Sequence, residues 1–183
     1  MNVVWFKRDL RTHDNPALFN AIKSEGPVMA IYILEPLLWN QPDMSYRHYL
    51  FLRDCLACLQ QQLSAIGLNL IIITDEAVSA LTSIHQAHGM VHLWSNQETW
   101  NGWTYARDKA VATWCKANNV VWTQPPQHGV VRCLNNRDGW AAQWAKRMND
   151  QQLCIAPIGP EVQVTQTIPH ASDLGLSNDG IEN

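Results

Sequence analysis

The sequence predicts an α/β fold, a five-stranded parallel doubly wound (Rossmann-like) sheet with helices on both faces. Three observations carry that expectation. Five short apolar runs rich in β-branched and aromatic residues recur along the chain, segments of helical period lie between them, and residues that start and stop helices stand at the boundaries.

The runs are NVVWF (2–6), VMAIYIL (28–34), LNLIIIT (68–74), VHLWS (91–95) and VVWTQ (120–124). Each has the length of a buried strand, and most are continuously apolar rather than alternating, as parallel strands covered on both faces require. After the first run, Asn15 is a good N-cap and Pro16 takes the first helical position, where its missing N–H costs nothing. Leu52, Leu56, Leu59, Leu63 and Ile66 step by four, three, four and three into one apolar stripe, and Gly67 closes that helix. Trp103, Ala106, Ala110, Trp114 and Ala117 form a second stripe before the fifth strand, and a last helix is expected within 138–148, where Trp140, Trp144 and Met148 are four apart. From residue 154 onward, scattered Pro and Gly interrupt any period. The expected organisation is one domain over 1–153 and a linker over 154–183, of which 165–183 reads as unanchored.

Composition narrows the function. With 183 residues, 46% apolar and 16% charged, the chain can bury a real core, and a net charge of −3 denies it the broad positive field that drives phosphate-backbone binding. Five cysteines, an odd number, and no signal-like stretch predict free thiols in a reducing cytoplasm. Cys55 and Cys58 form a C-x-x-C without a second pair, so buried packing is expected of them rather than a metal site. No apolar run approaches the roughly eighteen residues that span a bilayer. Neither G-x-G-x-x-G nor a P-loop follows any run, and there is no G-x-S-x-G elbow. His85 and His88 read as helix-surface residues.

In open α/β sheets ligands settle beyond the carboxyl ends of the strands, so the loops leaving the first and fourth strands are the first candidates. The loop after the first strand gathers Lys7, Arg8, Asp9, Arg11 and Asp14. Its near balance of charge predicts mutual ion pairing that fixes the strand-to-helix turn, with Arg8, Asp9, Arg11, Asp14 and Asn15 as its structural residues.

The stretch VVWFKRDLRTHDNPAL (3–18), followed in order by VMAIYILEP, DMSYRHYLFLRDCLACLQQQLSAIGLNLIIIT and LWSNQETWNGWTYARD, resembles the N-terminal α/β domain of the photolyase and cryptochrome family over roughly residues 2 to 124. The pattern W-F-x-R-D-L-R-x-x-D-N is met by Trp5, Phe6, Arg8, Asp9, Leu10, Arg11, Asp14 and Asn15. The resemblance implies a light-harvesting module that holds an antenna chromophore (a deazaflavin, a flavin or a folate) and packs on a helical domain carrying FAD and the DNA-binding cleft. Chromophore contacts are then implied for Leu34, Glu35, Met44, Arg47, His48, Leu52, Asn96 and Glu98. Where folate-binding members carry a histidine after the second strand, this chain has Gln41 and Pro42.

Cleavage of a pyrimidine dimer needs a reduced flavin and a pocket for the flipped-out lesion, and the resemblance puts both in the helical domain. The chain alone is therefore expected to be catalytically inactive, to meet damaged DNA only through that domain, and to have no membrane partner. Trp103, Trp114, Trp140 and Trp144 fall at helical spacings and are expected in a core or an interface. The other readings are a stand-alone nucleotide- or flavin-binding α/β module without photochemistry, and a scaffold that docks a partner.

Overall fold

The computed structural model describes residues 1–132, 134 and 136–177. Five strands, β1 (Asn2–Phe6), β2 (Val28–Leu34), β3 (Leu70–Thr74), β4 (His92–Trp94) and β5 (Val121–Thr123), form one sheet in the order β3-β2-β1-β4-β5. Every neighbouring pair is parallel. All five residues of β1 are buried, as the centre of such a sheet demands. The strand order reverses between β1 and β4, which opens a crevice at their carboxyl ends.

Six α-helices are described: α1 (Pro16–Lys23), α2 (Pro36–Trp39), α3 (Tyr46–Ala65), α4 (Ala77–His88), α5 (Gly102–Ala117) and α6 (Trp140–Met148). The sheet separates two cores. Val4, Phe6, Tyr32 and Leu34 pack with Leu18 of α1 and with Leu56, Leu59 and Leu63 of α3, whereas Val3, Trp5, Ile31 and Ile33 pack with Leu81 and Ile84 of α4 and with Val111 and Trp114 of α5. Alternate residues of one strand thus serve opposite faces. The stripe expected on α3 is the face it buries, with Leu52 and Ile66 half-buried at its ends.

The charged loop after β1 is fixed differently from the expectation. No ion pair forms among its own charges in the described structure. Asp9 is buried and accepts from the Lys7 backbone N–H (3.2 Å) and from the side chains of Asn15 (3.1 Å) and Asn96 (2.6 Å). Asn15 also caps α1, its Oδ1 accepting from Leu18 N–H at 3.1 Å. Arg11 donates to the Asp14 carbonyl and to Gln127, and Asp14, with φ at 47°, receives the Leu153 N–H. Neutral amides neutralise nothing but satisfy the carboxylate directionally, so the cations are released to act elsewhere.

Other expectations are corrected. The buried face of α5 is Thr104, Asp108, Val111, Trp114 and Cys115, while Ala106, Ala110 and Ala117 face solvent. Alanine loses little by exposure, and Asp108 is drawn inward by cations on other elements. No residue of α6 is buried, and Trp140 and Trp144 lie exposed on it, so of the expected core or interface the core is excluded. Cys58 is exposed and Cys55 half-buried, so the pair does not pack inside. His85 is half-buried, with a ring nitrogen 3.0 Å from the Met90 carbonyl; His88 is exposed, as expected. Cys133 and 178–183 lie outside the described residues.

The segment from residue 154, expected as a linker and as unanchored over 165–183, is docked over its described part. Ile158 and Val162 N–H groups donate to the carbonyls of Ile66 and Ser64, the Tyr49 hydroxyl donates to the Pro169 carbonyl, and Leu174 in a 3-10 turn (Ala171–Leu174) is 4% exposed in the α1/α3 core. Gly67 has φ at 87°, and a Cβ there would come 2.9 Å from the Gly159 backbone, so only glycine permits this approach. The contacts are mostly to backbone groups, which leave little sequence signal.

Asn15→Ala removes both the cap and the buried amide, so we expect it to lower unfolding free energy by roughly 2–3 kcal/mol in urea denaturation. A loss below about 1 kcal/mol would show that Asp9 finds other donors.

Candidate functional site

The carboxyl ends of β1 and β2, the loop after β4 and the start of α3 enclose a pocket of about 650 Å³. Ser45 caps α3 by accepting from His48 N–H, and this turn presents Met44, His48 and Leu52 to the cavity. Trp39 and Phe6 contribute wall from α2 and β1, and Trp100 from the loop after β4. Arg8 lies over the Trp100 ring, 4.1 Å from its centre, which places a guanidinium at the mouth.

Under the pocket runs a dense charge network. Lys7 Nζ is 3.3 Å from Asp108 Oδ2 and 3.6 Å from Glu98 Oε2. Arg107 is 2.7 Å from Glu35 Oε2 and 3.0 Å from Asp108 Oδ1, and it also pairs with Glu98. Arg132 reaches Asp108 at 3.5 Å and donates to the Glu98 carbonyl. Three cations therefore meet three carboxylates. Lys7 and Arg107 also lie 5.2 and 4.8 Å from the centre of the Trp5 ring, which stacks on Trp122.

Burial sets the titration of this floor. It pushes Glu35 up to about 7, against the opposing pull of Arg107. It also lowers Lys7, an effect that Asp108 and Glu98 oppose. For Arg107 burial acts against the charge, but Glu35, Glu98 and Asp108 together raise its affinity for the proton. Tyr32 is raised, first by burial and then by the nearby carboxylates. Its hydroxyl has no hydrogen-bond partner among the described residues, although the residue lines the pocket, so a donor is available to a ligand.

Of the expected contact residues, Glu35, Met44, His48, Leu52 and Glu98 line this pocket, joined by Arg8 and Arg11 from the charged loop. Leu34 is buried in the α1/α3 core, Arg47 is exposed away from the lining, and Asn96 is buried against Asp9 and Asn15. Asp9, Asp14 and Asn15 likewise serve the turn. Sequence reasoning missed Lys7 as a floor residue, together with Arg107, Asp108, Tyr32, Trp39 and Trp100. The Arg107-Asp108 pair, set in the middle of an amphipathic helix, was the available signal for two of them. Among the described residues no cluster of His, Cys, Asp and Glu could hold a metal ion.

Because the folded state keeps a proton on Glu35 that the unfolded chain releases, stability contributed by this group falls as pH rises from about 4.5 to about 7. Glu35→Gln should flatten that slope in urea denaturation at pH 5 and pH 7.5. An unchanged slope would assign the dependence to another group.

Comparison with known proteins places the chain in a family and agrees with the fold. The family model for DNA photolyase matches residues 2–148. Cryptochrome-1 of Gallus gallus is 35% identical over 200 residues, covering 98% of this chain and 32% of that protein. The deoxyribodipyrimidine photo-lyase of Vibrio cholerae is 43% identical over 70 residues, covering 38% of this chain and 15% of that protein. A bacterial class III photolyase from Agrobacterium tumefaciens superposes with a TM-score of 0.71 at 19% identity, covering 94% of this chain and 37% of that one. An archaeal photolyase from Sulfolobus tokodaii, solved with two FAD molecules, superposes with a TM-score of 0.70 at 19% identity, covering 95% and 41%. The chain thus spans less than half the length of each of these proteins. No helix among the described residues is long and apolar enough to cross a membrane. With its fold that of photolyase and cryptochrome N-terminal domains, the chain belongs to the DNA photolyase family.

Proposed function

We propose that this chain is a light-harvesting domain whose pocket holds an antenna chromophore, a deazaflavin, a flavin or a folate. The observation that carries the reading is the 650 Å³ pocket at the carboxyl edge of the sheet, aromatic on several walls and charged at its floor and mouth. Trp39, Trp100 and Phe6 suit a flat conjugated ring, and the free Tyr32 hydroxyl suits a polar atom on its edge. Arg8 and Arg11 meet no carboxylate among the described residues, so an anionic side group of the ligand would find two guanidiniums at the rim. The chromophore would supply light absorption, and this chain would supply its position and a dry, rigid floor.

In the full-length protein the energy would pass to FAD in a helical domain, which would carry out light-driven DNA repair or blue-light signalling and provide any contact with damaged DNA. The division 1–153 and 154–183 is part of this proposal, with the second segment leading towards that domain. A cytoplasmic setting suits the free cysteines Cys55, Cys58, Cys115 and Cys154. A stand-alone nucleotide- or flavin-binding module without photochemistry is the second reading, and the docking of 158–174 on α3 favours it, since that segment has a place on the domain itself. Adding a flavin-loaded photolyase helical domain in trans separates the two: the antenna reading expects quenching of the bound chromophore's fluorescence, and the module reading expects none.

Protein purified from a host that makes flavin and folate should show a near-ultraviolet or blue band, with the released compound identified by mass spectrometry. Leu52→Trp, which fills the pocket, should lose the band and keep the far-ultraviolet circular dichroism. A tryptophan-only spectrum that persists after addition of flavin mononucleotide, folate and a deazaflavin would overturn the antenna reading.

The 183-residue chain should also leave pyrimidine dimers in irradiated DNA untouched under blue light, reduced FAD being supplied. Light-dependent loss of dimers would place catalysis in the α/β domain.

A further inference from the structure

β3 is an edge strand, paired on one side with β2. Asp75 N–H donates to the Leu34 carbonyl, so odd-numbered positions here turn their backbone groups towards β2 and Leu70, Ile72 and Thr74 turn theirs outward. Natural edges are guarded by charge, proline, bulges or cover. Leu70–Thr74 reads LIIIT, with no charge and no proline, and its register with β2 is unbroken. Cover is the guard that remains.

Among the described residues, that cover hydrogen-bonds the edge through one side chain. Gln166 Oε1 accepts the Ile72 N–H at 2.8 Å, and Gln166 Nε2 donates to the Ile72 carbonyl at 2.6 Å. A primary amide thus reproduces the donor and acceptor pair that a residue of a neighbouring strand would offer. The Gln166 backbone is held in turn by Gln60 Nε2 at 2.9 Å. On the adjoining stretch the segment stands off, leaving a cavity of about 210 Å³ between 164–166 and Asn69, Leu70 and Ile71. No hydrogen bond reaches the outward groups of Leu70 or Thr74 from the described residues.

We propose that Gln166 is a plug on a self-complementary sheet edge, and that the partner it keeps out is a second copy of this chain, joined β3 to β3. Two identical edges related by a twofold axis run antiparallel, and each supplies the outward donors and acceptors the other lacks. No like charges on β3 oppose that approach, and the apolar β-branched run favours it.

The test uses the whole 183-residue chain. Gln166→Ala should speed hydrogen exchange at the Ile72 amide by roughly tenfold or more, and light scattering should show a concentration-dependent dimer that the unaltered chain does not form. Adding Thr74→Lys, an exposed charge on the same edge, should restore the monomer while Ile72 stays fast. If Gln166→Ala misfolds by circular dichroism, Gln166→Glu keeps an acceptor for the Ile72 N–H and removes the donor, and a smaller dimer fraction is expected. A monomer at all concentrations despite fast Ile72 exchange, a dimer that survives Thr74→Lys, or a folded glutamate variant with no dimer overturns the proposal.

Discussion

The pairing of Lys7 and Arg107 with Glu35, Glu98 and Asp108 is the constraint on which the carboxyl edge of the sheet depends. Five charges on four separate segments, the ends of β1 and β2, the loop after β4 and the middle of α5, are nearly withdrawn from water. Removing one partner would leave an uncompensated buried charge, which is far more costly than the net value of the intact set. The network therefore determines geometry more than it adds stability. It holds three loops and a helix in one arrangement, which a pocket built from loop residues otherwise lacks.

The same network explains which cations remain for a ligand. Asp9 is satisfied by Asn15, Asn96 and a backbone N–H, so it claims no arginine. Lys7 is turned inward to Asp108 and Glu98, and Arg8 and Arg11 are left at the pocket rim. Two neutral amides, Asn15 in the turn and Asn96 after β4, thus decide which cations are left for a ligand. Trp5 forms the apolar shelf between the two levels, with Lys7 and Arg107 set against its ring. Burial of this floor is also what pushes Glu35 up to about 7 against the pull of Arg107.

Much of the fold was legible because it is written in local pattern. The apolar runs mark all five strands to within a residue or two, Asn15 and Pro16 start α1 as expected, and the Leu52 to Ile66 stripe is the face α3 buries. The errors fall where long-range partners overrule pattern. Trp103, Ala106 and Ala110 look like an inner stripe of α5 until Lys7 and Arg107 require Asp108 inside, which rotates the buried face by about one position. Site residues followed the same divide. Glu35, Met44, His48, Leu52 and Glu98, which the family resemblance implied, do line the pocket at the carboxyl edge of the sheet, whereas the role of Asn96 depends on Asp9, 87 residues away.

The docked segment after residue 157 shows how α3 serves two ends of the molecule. Its entry loop and first turns supply Met44, His48 and Leu52 to the pocket, its middle packs Leu56 and Leu59 on the sheet, and its last turns hold Val162 through Ser64 and Gln166 through Gln60. A long helix anchored along only its middle could pivot on the sheet. Clamped at its carboxyl end by backbone hydrogen bonds and by the close approach of Gly67 and Gly159, it cannot do so without breaking them together. The segment that looks least structured in the sequence therefore stiffens the helix whose opposite end forms a pocket wall, so loss of its contacts should be felt as softening of that wall as well as exposure of β3.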